Sequence, residues 1–183
     1  DMIASSDASQ DLTLLTQNAT MDEQEREEFL AHFSESPTTT TVGLCVLGGI
    51  FSEGIDLKAE RLIGAVIVGT GLPMVCNEKE LYRQFFDGEI SSFSTGSEND
   101  EATIRNTRHG FSYAYQYPGM NKVLQAAGRV IRTEQDYGCI LLLDDRFLQG
   151  SYQSLFPREW FPHYTVTPET MTEHLLKFWE AHS

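Results

Sequence analysis

The chain has little of what marks secreted, membrane-spanning or metal-binding proteins. Its 183 residues include three widely spaced cysteines without a CxxC pair, namely Cys45, Cys76 and Cys139. That spacing argues against a disulfide framework and a tetrahedral metal site, and it predicts buried, reduced thiols in an intracellular protein. No apolar run approaches the length that a bilayer requires, so we expect no membrane span. No basic and apolar leader follows Asp1, which predicts a piece of a longer chain without a signal peptide.

Positive charge is also scarce. Thirteen basic residues stand against 27 acidic ones, which gives a formal net charge of −14. This sign excludes a domain that holds nucleic acid through its total charge, so any contact with a phosphate backbone must be local. The acidic residues concentrate at positions 22–28 and 98–101, a pattern typical of solvated helix faces and loops.

Strands and helices alternate along the sequence. Apolar runs predict strands at 12–16, 42–47, 64–68 and 139–143. Amphipathic or capped stretches predict helices at 25–33, 77–86, 121–132 and 168–182. The runs without polar alternation are those of strands covered on both faces. We therefore predict a single α/β domain over residues 1–183, with a parallel sheet and helices on both of its faces.

Local signals refine this organisation. Thr20 and Glu23 predict a capping box for the first helix, and Pro168 occupies the first position of the last helix behind Thr167. Residues 87–111 are rich in Ser, Gly, Asn and Asp without a sustained period, and they predict an insertion or mobile loop. In a parallel sheet, ligands bind beyond the carboxyl ends of the strands, so the segments after each apolar run matter most.

A glycine-rich segment follows the second predicted strand. Its sequence, GGIFSEGID, runs from Gly48 to Asp56 and combines three glycines with a hydroxyl and two carboxylates. Glycines let a backbone approach a ligand closely, and Ser and Asp side chains bind hydroxyl groups. By itself, the pattern is also that of a flexible strand-to-helix turn with capping side chains.

A second cluster lies on the third predicted helix. Gln125, Arg129 and Arg132 are separated by four and three residues, so on a helix they fall on one face, with Gly128 beside them. Two arginines one turn apart suit a phosphate, because each guanidinium donates two parallel hydrogen bonds and keeps its charge. Their spacing alone is equally that of ordinary ion-pair partners in an acidic protein.

These two segments carry a family resemblance. The stretch QAAGRVIR from Gln125 to Arg132, followed by TEQDYGCILLLDDRF, closely resembles motif VI and the next strand of the XPD/DinG-like helicases of superfamily two. The stretch GIFSEGIDL from Gly49 to Leu57 resembles their motif V, and Tyr117-Pro118 also fits. The motifs occur in the family's order, the resemblance covers residues 12–165, and the pair of motifs is highly specific.

The resemblance implies the second RecA-like motor domain of an ATP-dependent DNA helicase, with roles in DNA repair or replication in the bacterial cytoplasm. ATP would lie between this domain and a first RecA-like domain of the same polypeptide, and single-stranded or duplex DNA would be the partner. The implied site residues are the arginine fingers Arg129 and Arg132, the nucleotide contacts Gln125, Glu53, Gly54 and Asp56, and the DNA contacts Ser52 and Tyr117.

The sequence also lacks parts of that machine. It contains no G-x-x-x-x-G-K-[ST] phosphate loop, no acidic Mg²⁺ box and no set of four clustered cysteines. The resemblance therefore implies that Mg²⁺ is shared with the first motor domain, that any [4Fe–4S] cluster lies there, and that this chain alone is inactive. An alternative is a non-catalytic interaction module that uses the acidic surface, residues 160–162 and Trp179. RNA–DNA hybrids or a CRISPR-type complex are other possible substrates.

Two smaller patterns stay open. Tyr113, Tyr115 and Tyr117 alternate before a proline and suit either the stacking of bases or packing within the domain. Asp144 and Asp145 end a predicted strand and suit either a metal or an internal Asp–Arg pair, and the resemblance favours the pair.

Overall fold

The computed structural model of the chain describes residues 12–34, 37–51, 61–93, 109–131, 134 and 136–182. Its contacts divide the chain into two compact units, Asp1–Asp144 and Asp145–Ser183. The sequence predicts one domain over residues 1–183, and that organisation stays a prediction. Within the described ranges, no helix combines the length and the apolar character that crossing a bilayer requires.

The first unit alternates strands and helices. Its elements are β1 (Leu12–Thr16), α1 (Glu23–Ala31), β2 (Thr40–Leu44), β3 (Gly64–Val68), α2 (Asn77–Phe93), a π-helical turn (Ser112–Gln116), α3 (Tyr117–Ala127) and β4 (Cys139–Leu143). β1 pairs with β2, and β3 pairs with β4, in both cases in parallel. The α/β class with parallel strands is therefore confirmed, and the described pairings form two two-stranded sheets.

Three of the four predicted strands have the expected bounds, and β2 differs. It begins at Thr40 and ends at Leu44, whereas the apolar run predicts a strand through Leu47. The chain turns earlier because the Gly49 N–H donates to the Val46 carbonyl at 2.8 Å and Gly48 adopts a φ of +78°. A strand cannot continue through such a turn, although the residues are apolar.

Burial of β3 is one-sided. On β3, Ile67 is buried, whereas its neighbours Val66 and Val68 are 59% and 74% exposed. Successive side chains of a strand point to opposite faces, so one face of β3 packs on the core and the other carries exposed valines. The apolar run alone predicts cover on both faces, and in the described structure β3 has it on one.

The core of the first unit lies where α3 packs against β3. Met120, Val123 and Ala127 on α3 are buried, with spacings that place them on one helix face. A second cluster covers β2, where Phe29 of α1 stacks on Phe51 with a ring separation of 4.4 Å. These contacts orient the carboxyl ends of β2 and β3, where the site is expected.

The start of α1 corrects a sequence prediction. The N-cap is Asp22, whose carboxylate accepts from the Glu25 N–H at 2.9 Å, while the Glu25 carboxylate accepts from the Asp22 N–H at 2.9 Å. The predicted cap, Thr20, instead donates its hydroxyl to Asn18 Oδ1. Both sites match the capping-box pattern, but the helix begins two residues later than that cap requires, and it ends at Ala31 rather than Phe33.

The end of α2 corrects another. The helix continues to Phe93, seven residues beyond the predicted end, because the polar segment that follows Phe86 is compatible with a helix. Residues 87–93 of the predicted insertion or mobile loop are therefore helical, residues 94–108 lie outside the described part, and the insertion stays a prediction. The Gly110 N–H donates to the Asp87 carboxylate at 2.9 Å, which ties the end of this interval to α2.

The second unit is short and mostly helical. Its elements are two 3₁₀ turns (Asp145–Leu148 and Arg158–Trp160), α4 (Gly150–Gln153) and α5 (Pro168–Glu180). Phe147 and Tyr152 are its buried aromatic residues. α5 begins as predicted, with Pro168 in its first turn and Thr167 as the N-cap. The apolar side of α5 is half-buried at Met171, Leu175, Phe178 and Trp179.

Candidate functional site

The turn after β2 is held in place from β1. The Gln17 N–H donates to the Leu44 carbonyl at 2.8 Å, and the Gln17 side-chain oxygen accepts from the Val46 N–H at 2.9 Å. The turn closes with the bond from Gly49 to Val46 and leads directly into the glycine-rich segment. Sequence reasoning missed Gln17, although its position just beyond the carboxyl end of a strand was a usable signal.

This turn lies against α3. A Cβ atom at Gly48 would lie 2.8 Å from Lys122 Cδ, and the φ of +78° at Gly48 is one that residues with side chains rarely adopt. The glycine therefore serves both the backbone conformation and the close approach of the lysine stem. The segment that resembles motif V thus starts beside the helix that leads to the segment resembling motif VI.

The loop after β3 reaches the same helix. Gly69 and Gly71 have φ values of +83° and +66°, and the Gly69 N–H donates to the Leu143 carbonyl at 3.1 Å. A Cβ atom at Gly71 would lie 2.7 Å from the Gly119 carbonyl oxygen and 3.1 Å from Leu47 Cδ2. The ends of β2 and β3 therefore converge on the first half of α3, and the sequence reading singled out neither Gly71 nor Gly119.

Thr70 lies at the centre of this convergence. It is 1% exposed, and its hydroxyl group has no hydrogen-bond partner among the described residues. A buried hydroxyl without a partner costs about 1–3 kcal/mol. Thr70 is thus an unsatisfied polar group at the carboxyl end of β3, where a ligand is expected in this type of fold.

The end of α3 corrects the predicted helix 121–132. The helix stops at Ala127, and Gly128 is its C-cap. The N–H groups of Arg129 and Val130 donate to the carbonyls three residues earlier, at 3.1 and 3.0 Å, which makes a tight turn. Two features favour the early end: glycine disfavours a helix, and Val130 is buried against Gly138, where a Cβ atom would lie 2.5 Å from Val130 Cγ1.

The predicted arginine face is therefore not a helix face. Gln125 lies in the last turn of α3 with its side chain exposed, and Arg129 lies beyond the helix and is half-buried. Arg132 lies outside the described residues, as do the predicted site residues Ser52, Glu53, Gly54 and Asp56. The roles predicted for all of them stay predictions. The turn after Ala127 sets the position of Arg129 relative to Gln125, and helical periodicity does not describe that turn.

The three alternating tyrosines have different environments. Tyr115 is buried and donates its hydroxyl to the Glu80 carboxylate at 2.6 Å. That hydrogen bond, together with burial, raises the pKa of Tyr115 to about 12. Tyr117, the first residue of α3, is half-buried, and its ring meets Tyr113 edge-on at 5.2 Å. Packing is thus confirmed for Tyr115, and a DNA contact by Tyr117 stays a prediction.

The cysteines are free thiols, and Cys45 is exposed, so the prediction of buried thiols is wrong for that residue. Neighbouring atoms nevertheless desolvate the sulfur and raise the pKa of the Cys45 thiol, as they do for Cys139. Within the described ranges, no group of three or more His, Cys, Asp or Glu side chains is arranged to hold a metal ion.

Comparison with known proteins gives concordant matches. The family model described as "Helicase C-terminal domain" matches residues 1–163. The chain is 35% identical over 128 residues to the regulator of telomere elongation helicase 1 homolog of Oryza sativa subsp. japonica, covering 70% of this chain and 12% of that protein. It is 30% identical over 145 residues to the ATP-dependent DNA helicase chl1 of Aspergillus clavatus, covering 75% of this chain and 19% of that protein.

A solved structure of an XPD helicase matches with a TM-score of 0.54 and 19% sequence identity, over 77% of this chain and 22% of that chain. At this identity the likeness shows the fold, which is RecA-like, as the sequence predicts. The chain spans about an eighth to a fifth of the length of the two curated relatives.

Proposed function

The chain belongs to the helicase C-terminal domain family, and from this premise we propose that it is the second motor half of an ATP-dependent DNA helicase of the XPD/DinG type. One observation carries the proposal: the turn after β2 and the loop after β3 converge on α3, through the close approaches at Gly48 and Gly119. The turn leads into the motif V segment, and α3 leads into the motif VI segment. The two segments that such a motor must couple therefore start from one packed junction.

Gln125, Arg129 and Arg132 are the residues that we assign to the nucleotide. Guanidinium groups match phosphate oxygens in charge and geometry, and the exposed Gln125 amide adds neutral donors and an acceptor. ATP, when bound, supplies the phosphoryl group that is transferred to water. The arginines would stabilise the negative charge that develops on that group. Since the 183 residues lack a phosphate loop, the lysine and the Mg²⁺ ligands would come from the first motor domain.

The motif V residues would couple the nucleotide to DNA. In this proposal Glu53, Gly54 and Asp56 face the cleft between the motor domains, and Ser52 contacts the backbone of the translocating strand. Support comes from the turn that precedes them, which Gln17 fixes by its hydrogen bond to the Val46 N–H. A rigid entry to the segment lets closure at the nucleotide move the segment on the strand as a unit. Repeated closing and opening would then produce unwinding, in DNA repair or replication.

The test is the DNA-stimulated ATPase rate of the full-length protein. Arg129→Ala and Arg132→Ala should each lower turnover by about 10³-fold while single-strand binding persists, because arginine fingers contribute on that order. Arg158→Ala, at an exposed arginine of the second unit, is the matched control and should leave the rate unchanged. Unchanged rates in both arginine variants would contradict the assignment and leave the arginines as structural ion-pair partners.

Such a result would favour the second candidate, a non-catalytic interaction module. Its structural support is in the second unit. Phe161, which belongs to the predicted contact residues 160–162, is 52% exposed, and Tyr164 is 71% exposed. An intracellular location belongs to the helicase proposal. The curated relatives named above are a plant and a fungal protein, so the predicted bacterial source stays a prediction.

A further inference from the structure

A surface pocket of about 350 Å³ lies between α2 and the start of α3. Its lining residues are Glu78, Lys79, Tyr82, Tyr113 and Pro118. Two of them are tyrosines that stay substantially exposed, with Tyr82 at 48% and Tyr113 at 43%. The pocket thus offers flat aromatic walls to a ligand, with charged groups at its edge.

The walls are held rigidly from behind. Phe86 stacks on Tyr113 at a ring separation of 4.5 Å and an angle of 18°, and it meets Tyr82 at 4.7 Å and 75°. The planes of the two tyrosine rings are therefore steeply inclined to each other, and because both rings line the pocket we call the pair the aromatic corner. Tyr117 contacts Tyr113 edge-on and adds a further support. A planar group can stack on the exposed part of either ring.

The pocket lining carries one charged group of each sign, the Glu78 carboxylate and the Lys79 ammonium group. Glu80, which follows Lys79 on α2, forms an ion pair with Arg83 at 3.0 Å, and its carboxylate also accepts a hydrogen bond from the Tyr115 hydroxyl. Hydrogen bonds from its own backbone N–H and from Cys76 stabilise the Glu78 carboxylate and lower its pKa. Lys79 has no hydrogen bond or ion pair with the described residues. Lys79 is therefore the cation in the pocket lining that an anionic group beside the two tyrosines would contact.

We propose that this pocket is a nucleobase subsite for single-stranded DNA, in which one base stacks in the corner of Tyr82 and Tyr113 and Lys79 contacts an adjacent phosphate. The inference rests on the proposed helicase function, which supplies the strand. Aromatic pockets also bind proline-rich peptides. Lys79 has no ion-pair partner among the described residues, which favours the nucleic acid, because each nucleotide joins a planar base to a phosphate and a proline-rich motif by itself offers no anion.

The experiment measures binding of the full-length protein to an oligothymidine strand by fluorescence anisotropy. Tyr82→Ala should weaken binding by about 5- to 100-fold, as expected for the loss of one base stack, and Tyr82→Phe should not. Lys79→Ala should reduce the dependence of affinity on salt concentration by about one phosphate contact. Tyr164→Ala, which removes a 71% exposed tyrosine from the second unit, should bind like the wild type.

A second measurement does not depend on the folding of variants. Strands with photoreactive 5-iodouracil should cross-link the wild-type protein at Tyr82 or Tyr113. If the wild type binds DNA with neither that cross-link nor a Tyr82→Ala effect, the subsite is wrong and the helicase function stands. If the wild type binds no strand, both fail. Loss of a proline-rich peptide in Tyr82→Ala, with DNA affinity kept, would identify a peptide site and overturn the inference.

Discussion

The close approach of α3 to the loop after β3 leads to a sharp prediction for Gly119→Ala. A Cβ atom at position 119 would lie 2.6 Å from the Thr70 carbonyl oxygen and 3.1 Å from the Leu72 nitrogen. Both atoms belong to the backbone, so no side-chain rotation relieves the overlap. Overpacking costs about 1–3 kcal/mol, and backbone contacts place this case at about 3 kcal/mol. The helix gains about 1 kcal/mol when alanine replaces glycine, so the net loss is about 2 kcal/mol.

Gly88→Ala is the matched control, since Gly88 also lies within a helix but has no atom within 4 Å of its added Cβ. This variant should gain up to about 1 kcal/mol. Urea unfolding followed by far-ultraviolet circular dichroism measures both changes. Tryptophan fluorescence follows the second unit separately, because Trp160 and Trp179 are the two tryptophans of the chain. A Gly119→Ala protein as stable as the wild type would refute the packing of α3 against this loop.

Two further predictions concern buried polar groups of the first unit. The pKa of Tyr115 is raised to about 12, so the neutral phenol stabilises the fold below pH 10, and this contribution is lost as the pH rises through 12. Unfolding free energy should therefore fall from pH 10 to 12, and Tyr115→Phe should remove most of that dependence; equal slopes would contradict it. Thr70→Val should raise stability by up to about 1 kcal/mol in urea titrations, because it removes the unpartnered hydroxyl. Thr70→Ser, which keeps the hydroxyl, should lower stability. A Thr70→Val protein that is less stable than the wild type would contradict the prediction, because it would show that the hydroxyl has a hydrogen-bond partner.

α3 is a helix that the sequence pattern predicts in part. The predicted helix at 121–132 is confirmed for residues 121–127, and its apolar residues Val123 and Ala127 are buried. The apolar periodicity extends the predicted helix past Gly128 to Arg132. Amphipathic periodicity continues through such a turn in the sequence, because Val130 is apolar and buried as a helical residue would be. Where the chain leaves the helix depends on the space that Gly138 provides, which lies near in the fold and distant in the sequence.

The candidate site likewise combines features that the sequence predicts with features that only the structure shows. The motif segments and their order identify the family without any coordinates, because residue types at fixed spacing are themselves the signature. Sequence reasoning did not find Gln17, Thr70 or the Gly71–Gly119 approach, although Gln17 lies just beyond a strand end. Each of these matters through a neighbour far along the chain, such as the Val46 N–H that Gln17 binds.

The sequence by itself therefore determined the α/β class, the approximate positions of the strands and helices, and membership of the helicase C-terminal domain family. These properties follow from local periodicity and from residue identity. Only the tertiary structure decided that the ends of β2 and β3 meet on α3, that Arg129 lies in a turn, and that Tyr115 is buried while Tyr113 lines a pocket. Such features depend on the distances between segments that the chain brings together, and no local pattern encodes those distances.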